Sequence, residues 1–292
     1  MNRLHHPDSP SPSSLAEPPR DDSGWIAELS LEYAESHGKT RLLRKAFNGP
    51  LTVQKPFYPE DKVCHTYLIH PPGGIVGGDR LYLDVKVGPQ AHTLITTPGA
   101  NKFYRSAGTY AELNQHFRLA DNSSLEFLPQ ETILFDASLS RINTSINIQS
   151  SSRLICWDIM CLGRPASEAP FQHGRCIQQL QVTRDSQPYL NERSVFDSNS
   201  QSMSADWGFG GYTCLAYLLA YPLDADGFAQ LSEFAQSEKQ QRLSLSLIRN
   251  MLVCRFMGFQ AQQAKTELEK VWRALRPILL QRKATTPRIW NT

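Results

Sequence analysis

From Trp25 onward the apolar positions fall into short runs with a period of two. Ala27, Leu29, Leu31 and Tyr33 alternate with Glu28, Ser30 and Glu32, the pattern of a strand with one wet face. A turn at Ser36–Lys39 and a second extended run to Phe47 predict a hairpin, and Asn48-Gly49-Pro50 closes it. Leu51–Val53 and Val63–Ile69 read as strands around the proline-bracketed loop Lys55–Asp61. Further strands are expected over Leu81–Val87, Ala91–Thr97, Ala111–Leu119, Leu125–Leu128, Ile142–Ile148, Leu154–Met160, Cys176–Thr183 and Tyr189–Phe196. In the Ile142–Ile148 run, Ile142, Thr144, Ile146 and Ile148 share one face. Turn residues separate the runs, including Asp121–Ser124 and Gly163-Arg164-Pro165. Many short strands at regular spacing predict a mainly β body.

The pattern changes near Ala225. Phe228, Leu231 and Phe234 recur at helical spacing, as do Leu247, Met251 and Arg255, then Leu268, Trp272 and Leu275. A few α-helices are therefore expected in the C-terminal quarter, over about residues 225–282, capping the β body. Pro277 should end or kink the last helix near Arg276, because it lacks an N–H and clashes one turn back. The Ser- and Asn-rich stretch 197–206 reads as a mobile loop, and residues 1–22, rich in Pro and Ser, as a disordered tail. His5 and His6 in that tail read as solvated side chains.

His70–Val87, HPPGGIVGGDRLYLDVKV, is the most constrained stretch. Gly73, Gly74, Gly77 and Gly78 behind two prolines predict two sharp turns, followed by a strand with Asp79 at the junction. A phosphate-binding loop would need GxxxxGK followed by Ser or Thr. Here Gly78 is followed by Asp79-Arg80, and by a strand where a helix N-terminus should stand. A phosphate- or nucleotide-binding enzyme built on His70–Asp79 is thus the weaker alternative.

Composition narrows the field. The 292 residues carry a formal charge of +2 with no basic stripe, which argues against nucleic acid as a partner. No window approaches a membrane span and no signal peptide is visible, so the chain reads as cytoplasmic and free of membrane contact. The six cysteines form no CxxC pair and read as reduced, buried residues. His65 and His70 point to opposite faces of one strand, while Cys64 and His70 stand roughly 20 Å apart, so neither pair predicts a preformed metal site. No GxSxG elbow is present, and the pairs Asp79/Asp84 and Glu126/Glu131 read as wet-face residues or turn caps. Catalytic residues are not expected. The motif loops Lys55–Glu60, His70–Asp79, Ile95–Ser106, Leu128–Phe135 and Cys161–Pro165 combine aromatics, cations and rigid turns, as partner surfaces do. Corner packing explains each loop equally well.

In this order, those loops resemble the urease accessory protein family UreD, also called UreH. The glycine loop, Lys102-Phe103-Tyr104-Arg105-Ser106 and Leu128-Pro129-Gln130-Glu131-Thr132 carry the resemblance, which runs from Gly24-Trp25 to Pro287–Trp290. It implies that residues 23–292 form a single body of many short strands stacked in a β-helix-like arrangement. The implied role is a non-enzymatic scaffold that helps load nickel into apo-urease. The implied direct partner is UreF; the GTPase UreG joins through UreF and supplies all the GTP chemistry, and the urease apoprotein is the target. No tightly bound cofactor is implied, only nickel in transit. Loose transit suits spaced carboxylates, and the candidates are Glu60, Asp61, Asp79, Asp136 and Glu168. Glu168 departs in register from the family pattern, since Ala169-Pro170 follow it. Gly73, Gly74, Gly77, Gly78, Lys102, Phe103, Tyr104, Arg105, Gln130, Glu131 and Arg164 are expected to be structural or partner-facing. Asp79 is left with two roles, holding the corner or meeting a passing metal.

Overall fold

The computed structural model of the protein describes residues 24–164, 167–237 and 242–291. The tail expected over 1–22 lies outside the described residues, as does Pro165 of the last motif loop. The chain opens on the hairpin β1 (Ile26–Ser36) and β2 (Lys39–Asn48), then the short β3 (Thr52–Val53) beside β4 (Cys64–Ile69). It then winds between two sheets through β5 (Arg80–Val87), β6 (His92–Thr96), β7 (Asn101–Phe103), β8 (Ala111–Leu119), β9 (Ser124–Phe127), β10 (Thr132–Leu134), β11 (Ser138–Ile148) and β12 (Arg153–Arg164). β13 (Ala169–Pro170), β14 (Gly174–Arg184) and β15 (Gln187–Asp197) follow, then β16 (Cys214–Tyr221), α1 (Ala225–Ser237), β17 (Leu243–Ile248), β18 (Met251–Gly258) and α2 (Ala261–Leu280).

The first sheet has the order β15-β14-β11-β8-β5-β1-β2 and the second β17-β18-β16-β12-β9-β6-β4-β3. Successive strands of the winding pair in parallel within each sheet: β5 with β8, β8 with β11, and β11 with β14 in the first; β4 with β6, β6 with β9, and β9 with β12 in the second. The result is a β-solenoid-like body in which each coil gives one strand to each sheet. Period-two alternation sends one face of the inner strands of the first sheet into the space between the sheets, while the edge strand β2 is exposed over most of its length. The inner strands of the second sheet, such as β4, β9 and β12, are buried on both faces, while its edge strand β17 is partly exposed. One core (Leu29, Leu83, Phe117, Ile146, Phe127) lies between the sheets. The other (Ile155, Trp157, Leu218, Phe256) lies between the second sheet and α1 and α2.

The two ends of the coils differ. At one end the turns are tight and stack by backbone bonds, Ala120 N–H to Val87 O at 2.9 Å, Ser124 N–H to Ala91 O at 2.8 Å and Arg153 N–H to Ser123 O at 2.8 Å. The long connections 70–79, 97–110 and 128–137 all lie at the opposite end. Three of the motif loops therefore share one end of the solenoid because of the winding itself.

Two elements depart from the sequence reading. Leu247, Met251 and Arg255 belong to the hairpin β17–β18, with Arg249 at φ 58° in its turn. Positions four apart satisfy period two as well as period 3.6, and the alternation Leu243, Leu245, Leu247 decides for strands. The final helix does not stop at Arg276. It runs to Leu280 with Gln281 as a left-handed cap at φ 52°. Pro277 forfeits a bond, but Leu275 and Leu279 bury themselves on either side of it. The 197–206 segment holds a 3-10 turn at Gln201–Met203 capped by Ser200, and Phe209 just after it stacks on Phe196 at 5.1 Å.

Candidate functional site

The motif loops build one ladder. Ile75 of the glycine loop bridges to Phe103, β7 pairs in parallel with β10, and β10 pairs in parallel with Met160–Leu162 of β12. Phe103 is a fully buried rung of that ladder rather than a surface aromatic. Tyr104 lies over Gly74, where a Cβ would come 2.1 Å from its ring, and it meets the Phe135 ring edge-on at 4.8 Å. Gly78, at φ 94°, turns the chain against the backbone of Gly24. A side chain at Gly78 would be strained by that φ, and a Cβ at Gly24 would come 2.0 Å from the Gly78 carbonyl carbon.

The loop spends its amides on the protein. Gly73 N–H donates to His70 O, Ile75 N–H to Lys102 O, Gly78 N–H to Tyr110 O, and Val76 N–H to the Asp79 carboxylate. They are committed to the fold, unlike those of a phosphate cradle. Asp79, 8% exposed, accepts from Trp25 N–H on Oδ1 and from Val76 N–H on Oδ2, each at 3.0 Å. The carboxylate thus pins the start of β1 to the corner. Asp79→Ala should lower unfolding stability by about 1–3 kcal/mol, read as a shifted urea midpoint. An unchanged midpoint would show that the corner holds without it.

The other carboxylates named from the sequence are scattered. Glu60 is buried against His65 Nε2 at 2.9 Å and the Arg276 guanidinium at 3.0 Å. Its neighbour Asp61, 85% exposed, reaches Lys39 at 3.9 Å. Asp136 accepts from Gln172 N–H at 2.9 Å and His173 N–H at 2.7 Å. Partial burial works against its charge, but these donors prevail and hold it below the usual range. Glu168 is exposed at φ 54°. Arg164 stacks over Phe135 at 4.4 Å, and Gln130 takes a bond from Lys265 of α2 at 2.7 Å. Lys102 is half-buried, Arg105 is exposed, and the Glu131 carbonyl accepts from Asn101 N–H at 2.9 Å. Among the described residues, no three His, Cys, Asp or Glu side chains gather in a way that could hold a metal ion.

Behind the glycine loop the two sheets part. A cavity of about 250 Å³ opens between His70, Gly74 and Lys102 and reaches inward to Gln115 and Phe127. Gln115 and Phe127 also line a neck of about 20 Å³, room for about one water-sized group. That neck shares Asp158 and Tyr217 with a third cavity of about 150 Å³ toward Glu192 and Arg255. The walls are largely apolar, with a polar thread: Thr144 Oγ1 donates to Gln115 Oε1 at 3.0 Å, and Gln178 Nε2 to Asp158 Oδ2 at 2.5 Å. Burial pushes the Asp158 carboxyl up to about 6, and the bond from Gln178 only partly offsets it. None of the five carboxylates named from the sequence lines these three cavities; Asp158, which does, was not among them.

The family model for the UreD urease accessory protein matches residues 26–291. The urease accessory protein UreD of Citrobacter koseri is 42% identical over 276 residues, 92% of each chain. Those of Klebsiella aerogenes and Escherichia coli are 41% and 42% identical over 92% of this chain and 97% and 98% of theirs. The chain belongs to the UreD family.

The UreD family match runs into the closing segment, and there the structure brings in residues that pattern reading missed. Trp290 packs against Trp157 at 5.4 Å and Trp272 at 5.6 Å, and its indole N–H donates to Thr96 Oγ1 at 2.8 Å. Beside them, Glu126 is fully buried, not a wet-face residue. It accepts from His92 Nε2 at 2.8 Å, Trp272 Nε1 at 2.6 Å and both Nε and Nη2 of Arg276. Burial works against its charge, yet these donors and the Arg276 cation bring it down to about 2. The one available signal was a Glu between two apolar residues, Leu125 and Phe127, in a short strand.

Proposed function

We propose that this chain is a urease maturation factor: a scaffold, without catalytic residues of its own, that helps deliver nickel into the apo-urease active site. In this reading UreF binds it directly, the GTPase UreG joins through UreF, and the assembly docks on the urease apoprotein. Membership of the UreD family over residues 26–291 is the observation that carries the proposal. The compartment proposed is the cytoplasm, in keeping with six unpaired cysteines. No described helix is long and apolar enough to cross a membrane.

The route we infer for the cargo is the space between the sheets, from the mouth at His70 and Lys102, through the neck, to Asp158 and out toward Glu192. Nickel(II) accepts carboxylate and amide oxygen, and a path of few, separated oxygen donors would bind it weakly enough to release it. Beside the Asp79 corner Trp25, Ile26 and Val76 are 61%, 45% and 47% exposed, apolar side chains of the kind partners cover. The deciding experiment expresses the urease genes with and without this chain and measures nickel per urease active site. Without the chain, nickel content and activity should both fall several-fold while urease assembles normally. Equal nickel content in the two cultures would refute the maturation role.

A further inference from the structure

The structure also sets two thiols sulfur to sulfur, a feature the maturation role does not use. Cys161 on β12 and Cys214 on β16 are directly opposed across an antiparallel pair, with their Sγ atoms 4.0 Å apart. At the next position along, Leu162 N–H donates to Thr213 O at 2.8 Å. The ladder alternates, so Cys161 and Cys214 occupy a non-hydrogen-bonded position. Facing Cα atoms are closest there, about 4.5 Å apart. Disulfides bridge Cα separations of roughly 4.4–6.8 Å, so a small rotation about each Cα–Cβ bond would join these two without moving the strands. The pair is also asymmetric: Cys161 is 9% exposed and Cys214 is 1% exposed.

We propose that Cys161 and Cys214 are an oxidation site, forming a reversible disulfide on exposure to a small peroxide. Cys161, the more exposed residue of the pair, attacks one peroxide oxygen through its thiolate sulfur. The O–O bond breaks, Cys161 becomes a sulfenic acid, and the departing hydroxide takes up the thiol proton as water. The Cys214 sulfur then attacks the sulfenyl sulfur. The S–O bond breaks, the S–S bond forms, and hydroxide leaves with the Cys214 proton as a second water. Two thiols give up two electrons and one peroxide is reduced to two waters. The hydrogen bond with Cys214 and burial push the Cys161 thiol up, so the thiolate is scarce and the first step is slow. Burial shuts out bulky disulfides, which limits the reaction to small oxidants.

The bond would form where it bears on the ladder of motif loops. Met160–Leu162 is the stretch of β12 that pairs with β10, and Arg164, three residues beyond Cys161, stacks over Phe135. Oxidation would tie that rung to β16.

The test treats the purified full-length chain with hydrogen peroxide, denatures it, alkylates the free thiols and maps peptides by mass spectrometry. The free-thiol count should fall from six by two. A cross-linked peptide joining Cys161 to Cys214 should appear, and dithiothreitol should abolish it. In Cys214→Ser, Cys161 should be trapped as a dimedone-reactive sulfenic acid with no cross-link. The proposal is overturned if wild-type protein keeps all its thiols at peroxide doses that oxidise a simple thiol peptide. Loss of other cysteines before this pair overturns it equally, and both readings stand on wild-type protein even if the variant fails to fold.

Discussion

Arg276→Ala should cost about 3–5 kcal/mol of unfolding stability, the penalty for removing one partner of a buried ion pair. Every N–H of this fully buried guanidinium is used. Nε and Nη2 hold Glu126 at 2.9 and 2.8 Å, Nη1 and Nη2 hold Glu60 at 3.0 Å each, and Nη1 also reaches the Lys283 carbonyl at 2.6 Å. Glu60 comes from the loop before β4, Glu126 from β9 and Arg276 from α2, so one side chain fastens the last helix to the second sheet at two points. Without it, two buried carboxylates face each other with only His65, His92 and Trp272 as donors. The loss should depend on pH in a defined direction. The Glu126 pKa is depressed in the folded state, so its contribution is fully present above about pH 4.5 and disappears as pH falls through about 2. Urea midpoints of wild type and Arg276→Ala should therefore lie far apart at pH 7 and draw together toward pH 3. A constant gap across that range would show that the loss is one of packing rather than charge. Replacing Arg276, Glu60 and Glu126 together by Met, Gln and Gln should recover much of the stability, since no uncompensated charge then stays buried.

That cluster also marks where reading the sequence stops. The strands were legible because each encodes its own two-residue period, and the stacking of the motif loops is a consequence of winding them in order. Leu81–Val87 and Ala111–Leu119 needed no tertiary information. Arg276 and Glu126 are 150 residues apart, and each alone looks like a surface charge; nothing local distinguishes an arginine with five hydrogen bonds from one with none. The segment around Leu247 and Met251 failed for another reason, since positions four apart fit a strand and a helix alike. Of the candidate site, the glycine corner with Asp79 was readable from its turn chemistry. The polar thread between the sheets was not. Gln115, Thr144, Asp158 and Gln178 come from four different strands, and only the register of the sheets brings them into line.

Asp158→Asn should make the protein more stable and worse at its task. Burial raises the Asp158 carboxyl from its ordinary value near 3.8 to about 6. The folded state therefore binds a proton more tightly than the unfolded chain, and stability falls as pH rises from about 4 through 6. Above that window the charged carboxylate costs roughly 2–3 kcal/mol. The amide keeps the shape and removes the charge, so Asp158→Asn should raise the urea midpoint at pH 7.5 and leave it unchanged near pH 4. A carboxylate retained at that cost, at the junction of two cavities, is the sort of local inconsistency that accompanies function. If nickel travels between the sheets, its charge is what attracts the cation there. Co-expressed with the urease genes, Asp158→Asn should then cut nickel per active site by about tenfold, the worth of roughly 1.4 kcal/mol of lost attraction, while the accessory complex still assembles on urease. A stabilised variant that still fills urease with nickel would move the path elsewhere. A variant that is not stabilised at pH 7.5 would mean that Asp158 is not held in the buried, charged state on which both arms depend.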